Sequence, residues 1–87
     1  MPKVRFKLQA ERQLKALPYN LRDEVDAAVA ALYADAEAGE ALRGNLRGRW
    51  KLVVGPIRLL YRIRENGRLV IVDAVLFRGE AYPRRRH

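Results

Sequence analysis

Residues 49–77 constrain the fold most, because apolar and cationic side chains alternate along this stretch and two turn signals interrupt it. The turn signals are residues 55–56 and residues 65–67, each of which contains a glycine. Alternation with a period of two is typical of half-buried strands, and short glycine-containing turns join antiparallel neighbours. The sequence therefore predicts three strands of an antiparallel sheet, over residues 49–54, 57–64 and 69–77.

The first half of the chain predicts one strand followed by two helices. Residues 3–8 alternate apolar with cationic side chains, and residues 10–17 fit a short helix that ends before Pro18. Asn20 is a candidate N-cap for a second helix with one apolar face, and Gly39 is a candidate stop for it. The order β-α-α-β-β-β predicts an α+β fold, in which a two-helix hairpin packs on one face of a twisted antiparallel sheet.

The turn at residues 55–56 fixes the register of the first two strands of the trio. A two-residue loop pairs Val54 with Ile57, and the alternation then places Trp50 and Tyr61 on the core face. The cations of these two strands fall on the opposite face, where we expect Arg49, Lys51, Arg58 and Arg62.

The turn at residues 65–67 leaves two registers open for the last two strands. A two-residue turn at Asn66 and Gly67 leaves Arg78 on the core face, whereas a three-residue loop with a left-handed Gly67 shifts the pairing by one residue. The longer loop gathers more apolar side chains on one face and misplaces only Asp73, so it is the register that we predict. The core face then receives Leu69, Ile71, Val75 and Phe77. The opposite face receives Arg58, Arg62, Arg64 and Arg78.

Positive charge is concentrated in the second half of the chain. Residues 1–40 hold six Lys and Arg against seven Asp and Glu, a net charge of −1. Residues 41–87 hold twelve Lys and Arg against three Asp and Glu, a net charge of +9. Because so few acids cannot neutralise these cations, the excess indicates a polyanionic partner, most simply nucleic acid.

The composition favours one small domain and excludes several kinds of site. We expect a single domain over residues 1–87, with residues 83–87 as a disordered basic tail. The chain has no cysteine and its one histidine is His87, so we expect no disulfide, no metal site and no cofactor. We expect no membrane partner and a cytoplasmic location, because no apolar run is long enough for a signal peptide or a membrane span.

Several segments resemble the RelE/ParE superfamily of toxins, the toxic halves of bacterial type II toxin–antitoxin modules, often called plasmid stabilisation proteins. These segments are LRGNLRGRWKL at residues 42–52, GPIRLLYRI at residues 55–63 and RGEAY at residues 78–82. The order of elements and the Leu-Pro pair between the helices add to the resemblance, which spans residues 3–82. It implies a cognate antitoxin that folds around the toxin and silences it in a hetero-oligomer.

The resemblance implies a choice between two activities. RelE-like members are endoribonucleases that cut mRNA in the ribosomal A site and inhibit translation, whereas ParE-like members share the fold and poison DNA gyrase. A third interpretation is a toxin-like domain that has lost its activity and only binds nucleic acid or an antitoxin. We predict the RelE-like activity, with mRNA and the ribosome as partners and DNA gyrase as the alternative.

Four residues match the catalytic positions of the RelE-like branch. Lys51 matches a strand lysine, Arg58 and Arg78 match arginines on the next two strands, and Tyr82 matches a tyrosine near the C-terminus. The resemblance implies Lys51 as base and Tyr82 as a second base or a stacking platform. Arg58 and Arg78 would stabilise the charge that builds on the phosphate during cleavage.

Two departures from the RelE-like pattern keep the gyrase alternative open. Val53 stands where some members carry a second lysine, and Phe77 stands where a histidine often precedes the arginine. The remaining arginines of this half are predicted to hold backbone phosphates rather than to do chemistry. The predicted phosphate-binding residues are Arg47, Arg49, Arg62 and Arg64.

Overall fold

The sheet contains one strand more than the sequence predicts, a short edge strand that follows the second helix. A computed structural model describes residues 1–80 of the protein. The strands are β1 (Lys3–Phe6), β2 (Glu40–Ala41), β3 (Trp50–Val54), β4 (Ile57–Arg64) and β5 (Leu69–Phe77). The helices are α1 (Leu8–Lys15) and α2 (Tyr19–Ala34), and two 3₁₀ turns cover Gly44–Leu46 and Arg78–Glu80. The five strands lie in the order β1-β5-β4-β3-β2.

The sheet is mixed rather than antiparallel. β1 runs parallel to β5, with Lys3 opposite Leu69 and Phe6 opposite Val72. The other strand pairs are antiparallel. A parallel pair requires a long connection between its strands. The connection from β1 to β5 contains both helices and the strands β2, β3 and β4. The predicted α+β fold with a helical pair on the sheet is confirmed, and its antiparallel first strand is corrected.

The ends of α2 differ from the predicted ones. Pro18 occupies the N-cap position with φ −55°, and no side chain caps the helix, so Asn20 lies inside the first turn. Proline suits this place because its fixed φ fits the conformation found here, with ψ 152°, and it has no N–H to satisfy. The helix ends at Ala34 because Asp35 is extended, so Gly39 does not stop it.

The register between β3 and β4 is the predicted one. Val54 pairs with Ile57 and Trp50 pairs with Tyr61, as a two-residue turn requires. Trp50 packs against the core and stacks on Tyr61, with 6.1 Å between the ring centroids. Gly55 has φ +57°, a conformation that glycine adopts without steric cost.

The register between β4 and β5 is not the predicted one. Arg64 pairs with Leu69, so the connecting loop covers residues 65–68 and is not the predicted three-residue loop. The one-residue shift occurs instead in the middle of the strands, where Tyr61 pairs with Val72 and Leu60 pairs with Ala74. The extra residue of this β-bulge is Asp73, the residue that the predicted register had misplaced.

The bulge explains why only part of the predicted core face of β5 is correct. Beyond it, Val75 and Phe77 pair with Leu59 and Ile57, so these two lie on the core face as predicted. Before it, Leu69 and Ile71 pair with arginines of β4 on the opposite face, so their predicted places were wrong. The core receives two valines of β5 in their stead, Val70 and Val72. A bulge thus lets one strand bury apolar residues of both parities.

The core lies between the helices and one face of the sheet. Its largest fully buried side chains are Val25, Leu32, Ile57, Leu59, Tyr61, Val70 and Val72. No charged or polar residue of the described chain is buried apart from this tyrosine. No helix within residues 1–80 is long and apolar enough to cross a membrane.

Tyr61 joins the core to the segment that follows α2. Its hydroxyl donates to the carbonyl oxygen of Ala36 at 2.9 Å and accepts from the backbone N–H of Gly39 at 3.0 Å. Burial raises the pKa of the Tyr61 phenol, while the hydrogen bond from Gly39 opposes that rise. These two bonds satisfy the phenol and fix the chain that leads into β2.

We expect Gly39→Ala to lower the free energy of unfolding by about 1–3 kcal/mol, the usual cost of overpacking. A Cβ at this position would collide with the carbonyl oxygen of Lys51 and lie 2.8 Å from the Tyr61 hydroxyl. Urea unfolding followed by circular dichroism measures the change. Gly79→Ala is the matched control, because a Cβ at Gly79 would meet no atom within 4 Å. Equal stability of the two variants would contradict the close approach at Gly39.

Candidate nucleic-acid interface on the helix-free face

The helix-free face is the side of the sheet that points away from α1 and α2. Val4 and Phe6 pack against the core, so the residues that alternate with them face the other way. The strand pairing then assigns to the helix-free face the cations Lys3, Arg5, Lys51, Arg58, Arg62 and Arg64. The acids that meet them are Glu40, opposite Lys51, and Asp73, bonded to Arg62. Four of the cations in the basic second half are therefore displayed on one surface, together with two from β1.

Part of this face forms an open cleft of about 540 Å³. We call it the basic cleft and define it by its charged lining residues, which are Lys7, Arg47, Arg49, Arg62, Arg64 and Asp73. All four arginines that the sequence predicted to hold phosphates line this one cleft. Within residues 1–80, its charged lining consists of five cations and one carboxylate, a net charge of +4.

Arg62 is the most firmly held cation of the basic cleft. Its Nε donates to Oδ2 of Asp73 at 2.7 Å and its Nη2 donates to Oδ1 at 2.7 Å, a bidentate pair. The hydrogen bond to Asp73 raises the pKa of Arg62, although partial desolvation opposes it. Nζ of Lys7 lies 4.0 Å from Oδ1 of the same carboxylate. The bulge places Asp73 where it can fix this guanidinium.

Arg47 and Arg49 reach the cleft from the loop before β3. The loop is folded by backbone hydrogen bonds, from the N–H of Arg47 to the oxygen of Gly44 at 3.1 Å and from the N–H of Arg49 to the oxygen of Leu46 at 3.0 Å. Gly48 between them has φ +90°, which favours glycine. Both arginines are exposed, and their side chains form no hydrogen bond or ion pair with residues 1–80.

Lys51 lies on β3 beside the basic cleft. It pairs with Leu60, which lines the cleft, and with Glu40 on the edge strand. Its Nζ lies 3.6 Å from Oε1 of Glu40, and a quarter of the lysine side chain is exposed. The lysine is therefore accessible on the helix-free face.

Arg58 and Arg78 flank the β3–β4 turn at the other end of the sheet face. Nη1 of Arg58 donates to the carbonyl oxygens of Gly55 at 2.8 Å and Ile57 at 3.0 Å. The N–H of Arg78 donates to the carbonyl oxygen of Pro56 at 2.8 Å, and this arginine is exposed. Neither of them lines the basic cleft. The predicted Tyr82 lies outside the described residues.

The structure thus divides the predicted site residues that it describes into two groups. The predicted phosphate-binding arginines share the cleft, whereas Lys51, Arg58 and Arg78 extend from its border to the β3–β4 turn. Sequence reasoning missed Lys7 and Asp73 as members of the cleft. A signal existed for both, because Lys7 continues the cationic alternation of β1 and Asp73 was the polar misfit of β5.

The family of the chain follows from a match over most of its length. A family model for the ParE toxin of type II toxin–antitoxin systems matches residues 4–82. The chain belongs to this family. It is therefore a toxin of a type II toxin–antitoxin module, and the resemblance seen in the sequence is confirmed.

Solved structures of related toxins agree with this assignment. The ParE-family toxin is 32% identical to a chain of the RelBE2 toxin–antitoxin complex from Mycobacterium tuberculosis, covering 90% of the toxin and 100% of that chain with a TM-score of 0.67. It shares its fold with the isolated RelE toxin of E. coli, at 20% identity, 88% and 84% coverage and a TM-score of 0.75. A YoeB/ParE toxin from Agrobacterium tumefaciens has a TM-score of 0.74 at 18% identity, with 86% and 96% coverage. A comparison with curated protein sequences gives no match.

Proposed function

We propose that the toxin is an endoribonuclease that cuts mRNA on the ribosome and thereby inhibits translation. The observation that carries the proposal is the helix-free face, where strand cations outnumber acids by six to two. A surface with this imbalance attracts a polyanion and can neutralise a phosphate as its charge grows. Lys51 and Arg58 stand on neighbouring strands of this face, and Arg78 follows the third strand beside the same turn as Arg58.

The proposed reaction needs no metal. The 2′-hydroxyl of a ribose loses its proton to a base and attacks the adjacent phosphorus, which forms a 2′,3′-cyclic phosphate. The bond from phosphorus to the 5′ oxygen breaks, and an acid protonates this oxygen to give a 5′-hydroxyl. We assign Lys51 or Tyr82 to the transfer of the proton from the 2′-hydroxyl. We assign Arg78 and Arg58 to the phosphoryl oxygens, because guanidinium groups bind them bidentately.

A cognate antitoxin is the proposed protein partner. The RelBE2 relative was solved as a toxin–antitoxin complex, and so were RelBE of E. coli and YoeB-YefM of Staphylococcus aureus. We propose that this toxin is likewise held inactive by an antitoxin until the antitoxin is lost. The proposed site of action is the cytoplasm, because the substrate is the translated message.

A second candidate function is the poisoning of DNA gyrase without RNA cleavage. The matching family model is that of ParE toxins, and two positions depart from the RelE-like pattern. Val53 and Phe77 are 48% and 43% exposed, so apolar side chains stand at the surface where the RNA-cutting branch often carries a lysine and a histidine. This alternative uses the same cationic face to approach DNA.

A cell-free translation reaction separates the two candidates. We expect the purified toxin to stop protein synthesis and primer extension on the message to show discrete breaks within translated codons. The same message without ribosomes is the control, and it should remain intact. An intact message in both reactions, together with toxin-dependent breaks in supercoiled DNA incubated with gyrase, would overturn the ribonuclease proposal and support the second candidate.

A further inference from the structure

The basic cleft lies apart from the arginines to which the cleavage chemistry was assigned. Arg58 and Arg78 stand at the β3–β4 turn, whereas the cleft lies around Arg62 and the loop before β3. We propose that the basic cleft is a separate docking site for the phosphodiester backbone of single-stranded RNA. This inference deepens the proposed function and rests on it for the identity of the RNA, which is the message or the RNA around it.

The charge of the basic cleft is not neutralised internally. Asp73 is the one acidic lining residue among residues 1–80, and both of its carboxylate oxygens are already engaged by Arg62, with Lys7 close to one of them. The remaining arginines have no acidic partner among residues 1–80. A net charge of +4 at an open concave surface is therefore available to phosphates.

Arg62 is prepared for binding by the geometry of its ion pair. Asp73 occupies the edge of the guanidinium formed by Nε and Nη2. Nη1 forms no hydrogen bond with the described residues, so its two N–H groups remain able to donate. A guanidinium that is already fixed loses little side-chain entropy when it binds a phosphate. Asp73 therefore acts as the positioning residue of this anchor.

The other arginines can follow a chain of phosphates. Arg64 lies two residues after Arg62 on β4, which corresponds to about 7 Å along the strand. Arg47 and Arg49 reach the cleft from the loop before β3 and are exposed. This arrangement offers contacts to successive phosphates rather than one closed pocket for a single ion.

The lining of the basic cleft favours contacts to the backbone over contacts to bases. Leu60 and Ala74 are its apolar lining residues, and none of the lining residues within residues 1–80 is aromatic. Proteins that read single-stranded bases stack them on aromatic side chains, which the described part of the chain does not supply to this cleft. We therefore expect binding that depends on salt and on charge but hardly on base sequence.

The test is equilibrium binding of a fluorescent twelve-nucleotide oligo(U) RNA, measured by anisotropy at several salt concentrations without ribosomes. The cleft variant is Arg47→Ala/Arg49→Ala, whose changes lie in an exposed loop. The matched control is Arg12→Ala/Lys15→Ala, which removes the same charge from exposed positions of α1 in the helix layer. We expect the cleft variant to bind about tenfold more weakly and to reduce the slope of log K against log salt by about 1.4, the value for two lost contacts to a single strand. The control should lose less than twofold.

Several outcomes would overturn the inference. Equal weakening by both variants would assign the binding to net charge rather than to the cleft, and unchanged binding by the cleft variant would exclude the cleft. A DNA duplex of equal length is the second probe, and a larger loss on the duplex than on the RNA would overturn the single-strand assignment. Message cleavage is measured separately with the wild type. If the wild type cuts the message but the cleft variant binds RNA normally, only the docking role of the cleft is refuted. If RNA binding depends on the cleft but the wild type cuts no message, only the proposed ribonuclease function is refuted.

Discussion

Replacing Arg78 with alanine is expected to slow cleavage of ribosome-bound message by about 10²–10³-fold, the usual loss when one preorganised group that stabilises the transition-state charge is removed. Arg78 is exposed, and its side chain forms no hydrogen bond or ion pair with residues 1–79, so its removal should leave the fold unchanged. Its backbone N–H still donates to Pro56 in the alanine variant. Single-turnover cleavage of a message bound to stalled ribosomes measures the effect, and thermal unfolding confirms that the variant is folded.

Arg68→Ala is the matched control for this experiment. Arg68 is an exposed arginine in the loop between β4 and β5, so its replacement removes the same charge far from the β3–β4 turn. We expect it to retain cleavage within twofold. Arg78→Lys should recover only part of the activity, because an ammonium keeps the charge without the bidentate fork. If Arg78→Ala cleaves the message at the wild-type rate, Arg78 has no part in the proposed mechanism.

The second large effect is expected at the centre of the core. Tyr61→Ala should lower the free energy of unfolding by about 3–5 kcal/mol, as large aromatic truncations in cores do. Tyr61 is completely buried and stacks on Trp50. Its hydroxyl donates a hydrogen bond to the oxygen of Ala36 and accepts one from the N–H of Gly39. Because small domains are stable by only about 5–15 kcal/mol, this loss should remove a large part of the stability of the domain. Urea titration followed by circular dichroism measures the loss.

Tyr61→Phe separates packing from hydrogen bonding. It keeps the ring and removes the hydroxyl, so it leaves the oxygen of Ala36 and the N–H of Gly39 without their partner. We expect it to cost about 1–3 kcal/mol, clearly less than the alanine variant. Equal losses in both variants would mean that the two hydrogen bonds, rather than the buried ring, carry the contribution of Tyr61.

The sequence predicted the elements of the sheet better than their alignment. The turn at residues 55–56 leaves only one short loop that agrees with the alternation on both sides, so the pairing of Val54 with Ile57 follows from local chemistry. The loop after β4 has no such constraint. The packing of Val70 and Val72 on one side of the bulge and of Val75 on the other decided its register, and those contacts are made with the helices and β4.

For the candidate site too, the sequence indicated the residues but not how they are arranged in space. The excess of cations in the second half came from the sequence. The assignment of four arginines to phosphate binding and of Lys51, Arg58 and Arg78 to catalysis also came from it, and both assignments remain predictions. The sequence could not show that the four arginines share one cleft, because Arg47 and Arg49 reach it through the fold of a loop. It also could not show that Asp73 fixes Arg62, because the two meet only through the bulge.

The sequence by itself determined the α+β class, the four main strands, the helical pair, the family and the sign of the excess charge. The family followed from the resemblance of short segments to known toxins. The other features depend on periodicity, turn residues or composition, which act between neighbours along the chain. Only the tertiary structure decided the parallel pairing of β1 with β5, the place of the bulge and the union of the arginines with Lys7 and Asp73 in one cleft. These features depend on contacts between distant segments, whose energies are settled by how the whole core packs.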